Sequence, residues 1–161
     1  MNKTLSVCFV CHGNICRSPL AQGVMKSLVR KEGLEKTILV SSAGVSGWHV
    51  GEPPDNRMQD TAKKHGISLN SRARHFQATD YKELDLVLAM DQSNLNTLKS
   101  LESNFEARKE KLFLFRSFDP QNDGNLEVPD PYYGGGQGFE LVYEMVARTC
   151  PNILDFLKTK L

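Results

Sequence analysis

The amino-acid sequence predicts an α/β fold in which a four-stranded parallel sheet is flanked by helices on both faces. Four short apolar segments are predicted to be buried strands, and the first of them is rich in β-branched and aromatic residues. Longer segments with a helical spacing of apolar residues separate them, and strands that alternate with helices form parallel sheets covered on both sides. A length of 161 residues is typical of one domain, so we expect a single domain over residues 1–161.

The first half of the chain contains two predicted strands and two predicted helices. The segment TLSVCFV (4–10) predicts the first strand, and TILVSSAG (37–44) predicts the second. The helix between them is expected to begin with Ser18 as its N-cap and to end at Gly33. The next helix is predicted within residues 53–67, with a glycine just past its end.

The second half of the chain completes the predicted sheet. LDLVLAM (84–90) predicts the third strand and KLFLF (111–115) the fourth. Asp91 is expected to cap the helix that follows the third strand. A final helix is predicted up to the C-terminus, kinked or restarted by Pro151. The polar segment 116–138 before it is too long to be an idle connection.

The charge balance excludes several classes of partner. Lysine and arginine number 20 against 19 acidic residues, a formal net charge of +1, so neither a general nucleic-acid surface nor a membrane-binding surface is expected. No stretch reaches the roughly 18 consecutive apolar residues of a membrane span, and the opening apolar run is too short for a secretory signal. We therefore expect a cytoplasmic protein with reduced cysteines, and a monomer, with a weak dimer as the alternative.

A loop of unusual composition, CHGNICRS (11–18), lies between the first strand and the first helix. A loop that leads into a helix N-terminus offers unpaired backbone N–H groups and the positive end of the helix dipole, so it can bind an anion such as phosphate. Gly13 and Asn14 suit a tight or left-handed backbone, and Arg17 can bind two phosphate oxygens at once. Cys11 would share this positive environment, which favours its thiolate form and makes it a candidate nucleophile.

Two other interpretations of the cysteines stay open at this point. Cys8 and Cys11 form a Cys-x-x-Cys motif, which also occurs in redox pairs and in zinc sites. A redox pair should open a helix, whereas Cys8 lies within a predicted strand, and a zinc site would need a second pair of ligands. A nucleotide-binding loop is not indicated, because no Gly-Lys-Ser/Thr follows. We therefore expect Cys8 and Cys150 to be core residues, and no metal site.

Several longer motifs are more specific than the spacing of Cys11 and Arg17. CHGNICRSP, SSAGVSGWHVGEPPD, MDQSNL, DPYYGG and FELVYEMV occur in this order along the chain. With them, essentially the whole sequence resembles the low-molecular-weight protein tyrosine phosphatases. The resemblance implies hydrolysis of phosphotyrosine in proteins or peptides, and of small aryl phosphates, through a cysteinyl-phosphate intermediate. It also implies the four-stranded parallel fold, and no cofactor is expected.

The resemblance assigns roles to individual residues. It makes Cys11 the nucleophile, Arg17 the phosphate clamp and Asp130 the general acid and base. An acid is needed because the expelled alkoxide or phenoxide requires a proton. PDP by itself favours a simple turn, and it is the resemblance that makes Asp130 the acid. The resemblance also implies phosphate-binding loop residues (His12, Gly13, Asn14, Ile15, Cys16, Arg17, Ser18), bracing residues (Asn14, Ser18, Ser42) and cleft walls (Trp48, Tyr132, Tyr133).

Two further residues, Cys16 and Ser71, are expected to differ in how they affect the loop. Cys16 lies five residues after Cys11 on the same tight loop, so we expect it to be the redox partner that captures an oxidised Cys11 as a disulfide. Ser71 stands where many members of the resembled family have a histidine that braces Asn14. Because serine is shorter, we expect Ser71 to contact Asn14 only through a water, if at all.

Three other functions are weighed against the phosphotyrosine phosphatase. Arsenate reductases share the fold and loop but need further cysteines on a nearby helix, and residues 76–100 contain none. Phosphoarginine phosphatases have a threonine before the second loop cysteine, where this chain has Ile15. An idle anion-binding module would be expected to have lost Cys11, Arg17 or Asp130. The phosphotyrosine phosphatase is therefore favoured.

Overall fold

The computed structural model describes residues 3–161 and contains one parallel sheet with the strand order β2-β1-β3-β4. Its strands are β1 (Leu5–Cys11), β2 (Ile38–Gly44), β3 (Leu86–Ala89) and β4 (Leu112–Leu114). All adjacent strands pair in parallel, with Cys11 opposite Gly44 at the end of the β1–β2 ladder. The predicted four-stranded parallel sheet is confirmed, and the predicted strand ends lie within a residue or two of those observed.

The helices are α1 (Arg17–Lys31), α2 (Asn56–Lys64), α3 (Gln92–Leu101), α4 (Phe105–Arg108) and α5 (Gln137–Lys158). Helices α1 and α2 end at the predicted glycines, since Gly33 and Gly66 follow them with φ of +69° and +79°. The short helix α4 and the 3₁₀ turns Ala78–Lys82 and Phe115–Phe118 were not predicted. They are too short to show a helical period of apolar residues.

Strand β1 is buried on both faces because helices cover both sides of the sheet. Its side chains alternate, so that Phe9 and Cys11 join the core beneath α1 and α5, whereas Cys8 and Val10 join the core beneath α3. Cys8 and Cys11 therefore point to opposite faces. Burial raises the pKa of the Cys8 thiol to about 11. This geometry rules out a redox pair or a shared zinc site for the Cys-x-x-Cys motif, and Cys8 is a core residue as predicted.

Two local predictions about helix α5 and helix α1 need correction. Helix α5 continues through Pro151 without a restart, because its buried residues on either side, including Cys150 and Ile153, keep one apolar face packed against the core. Helix α1 begins at Arg17, one residue before the predicted N-cap Ser18, and Cys16 at the cap position makes no side-chain cap. The hydroxyl of Ser18 is instead engaged by the preceding loop.

The long polar segment before α5 is fixed by a buried carboxylate. Asp119 accepts hydrogen bonds from Arg148 at 2.9 and 3.0 Å and from Arg116 Nε at 2.9 Å. Burial alone would raise the pKa of Asp119, but Arg148, the Gln121 N–H and Arg116 outweigh it and hold the pKa at about 2. The backbone N–H of Val128 then donates to the Met90 carbonyl after β3. The segment is thereby anchored beside the carboxyl end of the sheet, two residues before Asp130.

Across residues 3–161, no helix combines the length and apolarity that a membrane crossing requires.

Candidate active site

The loop 11–17 lies at the carboxyl end of β1, an inner strand of the sheet. Strand β1 has β2 on one side and β3 on the other, so this is the switch point at which parallel α/β sheets form their ligand crevice. The loop packs closely on the end of β2. A Cβ on Gly44 would lie 2.8 Å from the His12 carbonyl oxygen, so only glycine permits this approach.

Asn14 holds the loop in its curved shape. It has a φ of 59°, and no other non-glycine residue in the described chain has a positive φ. Its side-chain nitrogen donates to Ser18 Oγ at 2.7 Å and to Ser42 Oγ at 3.0 Å. Its side-chain oxygen accepts from the Arg74 backbone N–H at 3.0 Å. The structure thus brings together Asn14, Ser18 and Ser42, the three residues expected to brace the loop.

The third hydrogen bond to the Asn14 side chain comes from the Arg74 backbone N–H, and not from the side chain of Ser71. Within residues 3–161, Ser71 forms no direct hydrogen bond with Asn14, which agrees with the expectation for that serine. The hydroxyl of Ser42 donates to the Gln22 side chain, which adds a further support on α1. Sequence reasoning missed Arg74 because its contribution is a backbone group that any residue type could supply.

The thiol of Cys11 lies at the floor of the loop, and the residue is 3% exposed. The Asn14 backbone N–H points to its sulfur at 3.3 Å, and the Ser18 hydroxyl lies 3.0 Å from it. Both groups can donate a hydrogen bond to a thiolate. Hydrogen-bond donors of this kind stabilise a sulfur that carries negative charge.

Arg17 is a buried cation beside the thiol, with 2% of its side chain exposed. Its Nη1 donates to Asp91 Oδ2 at 2.7 Å and to the Val128 carbonyl at 2.9 Å, which fixes the plane of the guanidinium. Burial acts to lower the pKa of Arg17, but the negative charges of Cys11, Asp91 and Asp130 outweigh it and raise the pKa. The group therefore stays charged and available to anionic oxygens.

Asp91 serves two elements at once. Its Oδ1 accepts from the Asn94 N–H at 2.8 Å and caps α3, as the sequence predicted. Its Oδ2 holds Arg17. The cap therefore ties the start of α3 to the guanidinium at the loop.

Asp130 lies above the loop, on the acid loop (residues 129–136). Its Oδ2 is 3.5 Å from Arg17 Nη2, and its Oδ1 accepts from the Tyr132 N–H at 3.0 Å. About a third of its side chain, 34%, stays exposed. The carboxyl group thus faces the same cleft as the Cys11 thiol.

The walls of this cleft are only partly those expected. Tyr132 and Tyr133 line it, with ring centroids 5.0 Å apart and planes at 84°. Trp48, expected on the facing wall, has 85% of its surface exposed and is not among the lining residues. The neighbouring His49 lines that wall instead, 6.1 Å from the Tyr132 ring, with its Nδ1 2.6 Å from Glu52 Oε2. Sequence reasoning missed His49 because it assigned the wall to the adjacent, larger aromatic residue.

Cys16 is the second thiol of the loop and also lines the cleft. The residue is almost fully buried. Burial, followed by the negative charges of Asp55 and Cys11, raises the pKa of Cys16, so this thiol stays protonated. The loop therefore holds two buried thiols, of which Cys16 is kept neutral by its surroundings.

Comparison with known proteins places this geometry in a family. The sequence profile of the low molecular weight phosphotyrosine protein phosphatases matches residues 6–161. The chain belongs to this family. A low molecular weight protein-tyrosine-phosphatase of Streptomyces coelicolor is 45% identical over 152 residues, 94% of this chain and 92% of that protein.

Solved structures show the same fold. A protein tyrosine phosphatase from Entamoeba histolytica superposes with a TM-score of 0.90 at 34% identity, covering 98% of this chain and all of that one (100%). A Drosophila arginine phosphatase superposes with a TM-score of 0.86 at 35% identity, covering 94% and 97% of the two chains. The phosphatase fold is therefore shown, and it is shared by proteins whose names specify different phosphorylated residues.

The bracing of the loop predicts unequal effects for two substitutions. Asn14→Ala removes three hydrogen bonds and a residue that tolerates a positive φ, so we expect it to reduce turnover and to destabilise the protein by roughly 1–3 kcal/mol. Ser71→Ala, the matched control, should change either quantity by less than about 1 kcal/mol. Turnover and melting temperature are measured for both variants. A loss in Ser71→Ala as large as that in Asn14→Ala would show that the serine does brace the loop.

Proposed function

We infer that this chain hydrolyses phosphotyrosine in proteins or peptides, and small aryl phosphates, through a covalent cysteinyl-phosphate intermediate. The observation that carries the proposal is the buried Cys11 thiol at the floor of an anion-binding loop, with Arg17 beside it and Asp130 above it. Family membership supports the same activity.

In the first step, the loop N–H groups and the Arg17 guanidinium bind the phosphate oxygens. The Cys11 thiolate attacks phosphorus, a P–S bond forms, and the bond between phosphorus and the tyrosine oxygen breaks. Protonated Asp130 transfers its proton to the departing phenolate oxygen. The fixed positive groups stabilise the equatorial oxygens in the transition state without having to reorganise.

In the second step, ionised Asp130 takes a proton from a water molecule as that water attacks the phosphorus of the intermediate. The P–S bond breaks and inorganic phosphate forms. Hydrogen bonds from the Ser18 hydroxyl and the Asn14 N–H to the departing sulfur favour its release as a thiolate. Cys11, Arg17 and Asp130 thereby supply the nucleophile, the positive charge and the proton, so the proposed reaction uses no metal ion or cofactor.

The shape of the cleft favours an aromatic substrate. The Tyr132 and Tyr133 rings stand at its mouth, where a phenyl ring can pack against them while its phosphate reaches the loop floor. Phosphoarginine is the second candidate, since a structural relative is an arginine phosphatase. Ile15, in place of the threonine expected in that class, favours phosphotyrosine. Parallel hydrolysis of phosphotyrosine, phosphoserine and phosphoarginine peptides distinguishes these substrates.

Replacement of Asp130 tests the proposed acid. Asp130→Ala should reduce kcat/KM, which reports the leaving-group step, by roughly 10²–10⁴-fold for phenyl phosphate, whose leaving group needs a proton. The reduction should be much smaller for 4-nitrophenyl phosphate, because nitrophenolate departs unprotonated. Asp60→Ala, at an exposed position on α2, is the control and should leave both rates unchanged. Equal losses for the two substrates would mean that Asp130 has only a structural role.

Cys16 is proposed as a thiol that protects Cys11 from irreversible oxidation. A sulfenic acid formed on Cys11 by peroxide would be attacked by the Cys16 sulfur, which forms a disulfide and releases water. Inactivation by peroxide should then be reversed by a dithiol in the parent protein and much less in Cys16→Ser. If Cys16→Ser recovers as completely as the parent, this role is wrong.

We further propose that the chain acts as a cytoplasmic monomer that binds no nucleic acid. The near-neutral net charge of +1 supports the absence of a general nucleic-acid surface. Analytical ultracentrifugation over a concentration series would contradict the monomer if it found a stable dimer.

A further inference from the structure

Arg57, near the start of α2, makes several contacts across the cleft that the proposed reaction does not use. Its guanidinium donates to the two Asp55 carboxylate oxygens, at 3.1 and 2.9 Å, and its Nη2 also donates to the Tyr132 carbonyl at 3.1 Å. The same group lies 4.7 Å from the Phe139 ring centroid and 5.5 Å from that of Tyr132. Arg57 thereby joins α2 to the acid loop at Tyr132 and to the start of α5 at Phe139.

Asp55 connects Arg57 to the phosphate-binding loop. Its backbone N–H donates to the Ile15 carbonyl at 2.8 Å, and its carboxylate caps α2 by accepting from the Arg57 N–H at 2.8 Å. A continuous path therefore runs from Ile15 through Asp55 and Arg57 to Tyr132. From there, the Tyr132 N–H donates to Asp130 Oδ1.

The acid loop has few other attachments. Among the described residues, the bond from Arg57 to the Tyr132 carbonyl is the one hydrogen bond that reaches residues 129–136 from outside this loop and α5. The ion pair between Arg17 and Asp130 is a longer contact, at 3.5 Å. The loop is largely exposed and ends in three consecutive glycines, Gly134 to Gly136, which add backbone freedom. Its position therefore depends strongly on Arg57.

We propose that Arg57 is a positioning residue that sets the place of Asp130 over the phosphate-binding loop. The inference rests on the proposed function, in which Asp130 is the general acid. Arginine suits this task because its planar guanidinium binds a carboxylate with two donors, donates to a carbonyl and packs a face on aromatic rings. A lysine ammonium has the charge but not the plane or the fork.

Loss of Arg57 should therefore affect proton transfer more than binding. The Cys11 loop keeps its own bracing through Asn14, so phosphate affinity should stay close to that of the parent protein. The carboxyl group of Asp130 would sample a wider range of positions. A misplacement of about 1 Å can reduce a rate by roughly 10²-fold, so the chemical step with a poor leaving group is the one expected to slow.

The experiment compares Arg57→Ala and Arg57→Lys with the control Arg72→Ala, an exposed arginine on the segment between α2 and β3. For Arg57→Ala, kcat/KM on phenyl phosphate should fall by about 10- to 100-fold, with the inhibition constant of inorganic phosphate nearly unchanged. With 4-nitrophenyl phosphate, kcat/KM should fall by less than about threefold. Arg57→Lys should lie between the parent and Arg57→Ala, and Arg72→Ala should equal the parent.

A double variant separates positioning from a general structural effect. If Arg57 acts through Asp130, then adding Arg57→Ala to Asp130→Ala should cause no further loss on phenyl phosphate. Equal losses on the two substrates, a further loss in the double variant, or a weakened phosphate affinity would overturn the proposal. If Arg57→Ala fails to fold, as its melting curve would show, the same comparisons are made with Arg57→Lys, which retains the charge.

These measurements also separate this inference from the proposed function. Asp130→Ala alone tests whether Asp130 is the acid, because its loss must depend on the leaving group. If that dependence is absent, the proposed role of Asp130 fails, and the positioning role fails with it. If it is present and Arg57→Ala shows no such dependence, only the positioning role fails.

Discussion

The left-handed backbone at Asn14 is the constraint on which the rest of the site depends. A φ of 59° at a non-glycine residue stores roughly 1–3 kcal/mol of strain, and it lets the chain curve back over the Cys11 sulfur. Three hydrogen bonds of the Asn14 side chain compensate for this strain. They join it to Ser18 on α1, to Ser42 on β2 and to the Arg74 backbone in the segment after α2. The loop is thus shaped by its contacts with the assembled sheet and helices.

The curvature at Asn14 brings opposite charges together in a small, partly buried volume. The Asn14 N–H is directed at the Cys11 sulfur, and helix α1 begins three residues later at Arg17. The Arg17 guanidinium is oriented by Asp91 and the Val128 carbonyl. The burial of Arg17 would be unfavourable for a lone cation, and the surrounding acidic groups compensate for it. Because Val128 directly precedes the acid loop, the contacts that orient the cation also fix one end of the segment that carries Asp130.

The sequence predicts the fold and the chemical character of the loop, because both depend on local patterns. Short apolar runs predict the strands, and the glycines at positions 33 and 66 predict two helix ends, since a positive φ strongly favours glycine there. The composition of the loop between β1 and α1 indicates an anion site for the same local reason. These features depend on residues that are close in the sequence, so they can be predicted without knowing the long-range contacts.

Features that depend on distant contacts could not be predicted in this way. Serine is a residue type typical of N-caps, but the Ser18 hydroxyl accepts a hydrogen bond from the Asn14 side chain, and the helix begins one residue earlier. His49 lines the cleft whereas the larger Trp48 is exposed, and no local sequence pattern distinguishes these two neighbours. Arg57 has an unremarkable place in the sequence, and its importance comes from a carbonyl 75 positions away.

The central claim is that the Cys11 sulfur carries the phosphoryl group during the reaction. Mass spectrometry of peptides from protein quenched in acid during turnover of 4-nitrophenyl phosphate tests it directly. The Asp130→Ala variant is used because loss of the base should slow hydrolysis of the intermediate and allow it to accumulate. We expect the added mass of one phosphoryl group on the peptide that contains Cys11, and none on that peptide in Cys11→Ser. A phosphoryl group on another residue, or turnover by Cys11→Ser at a rate comparable to the parent, would contradict the account.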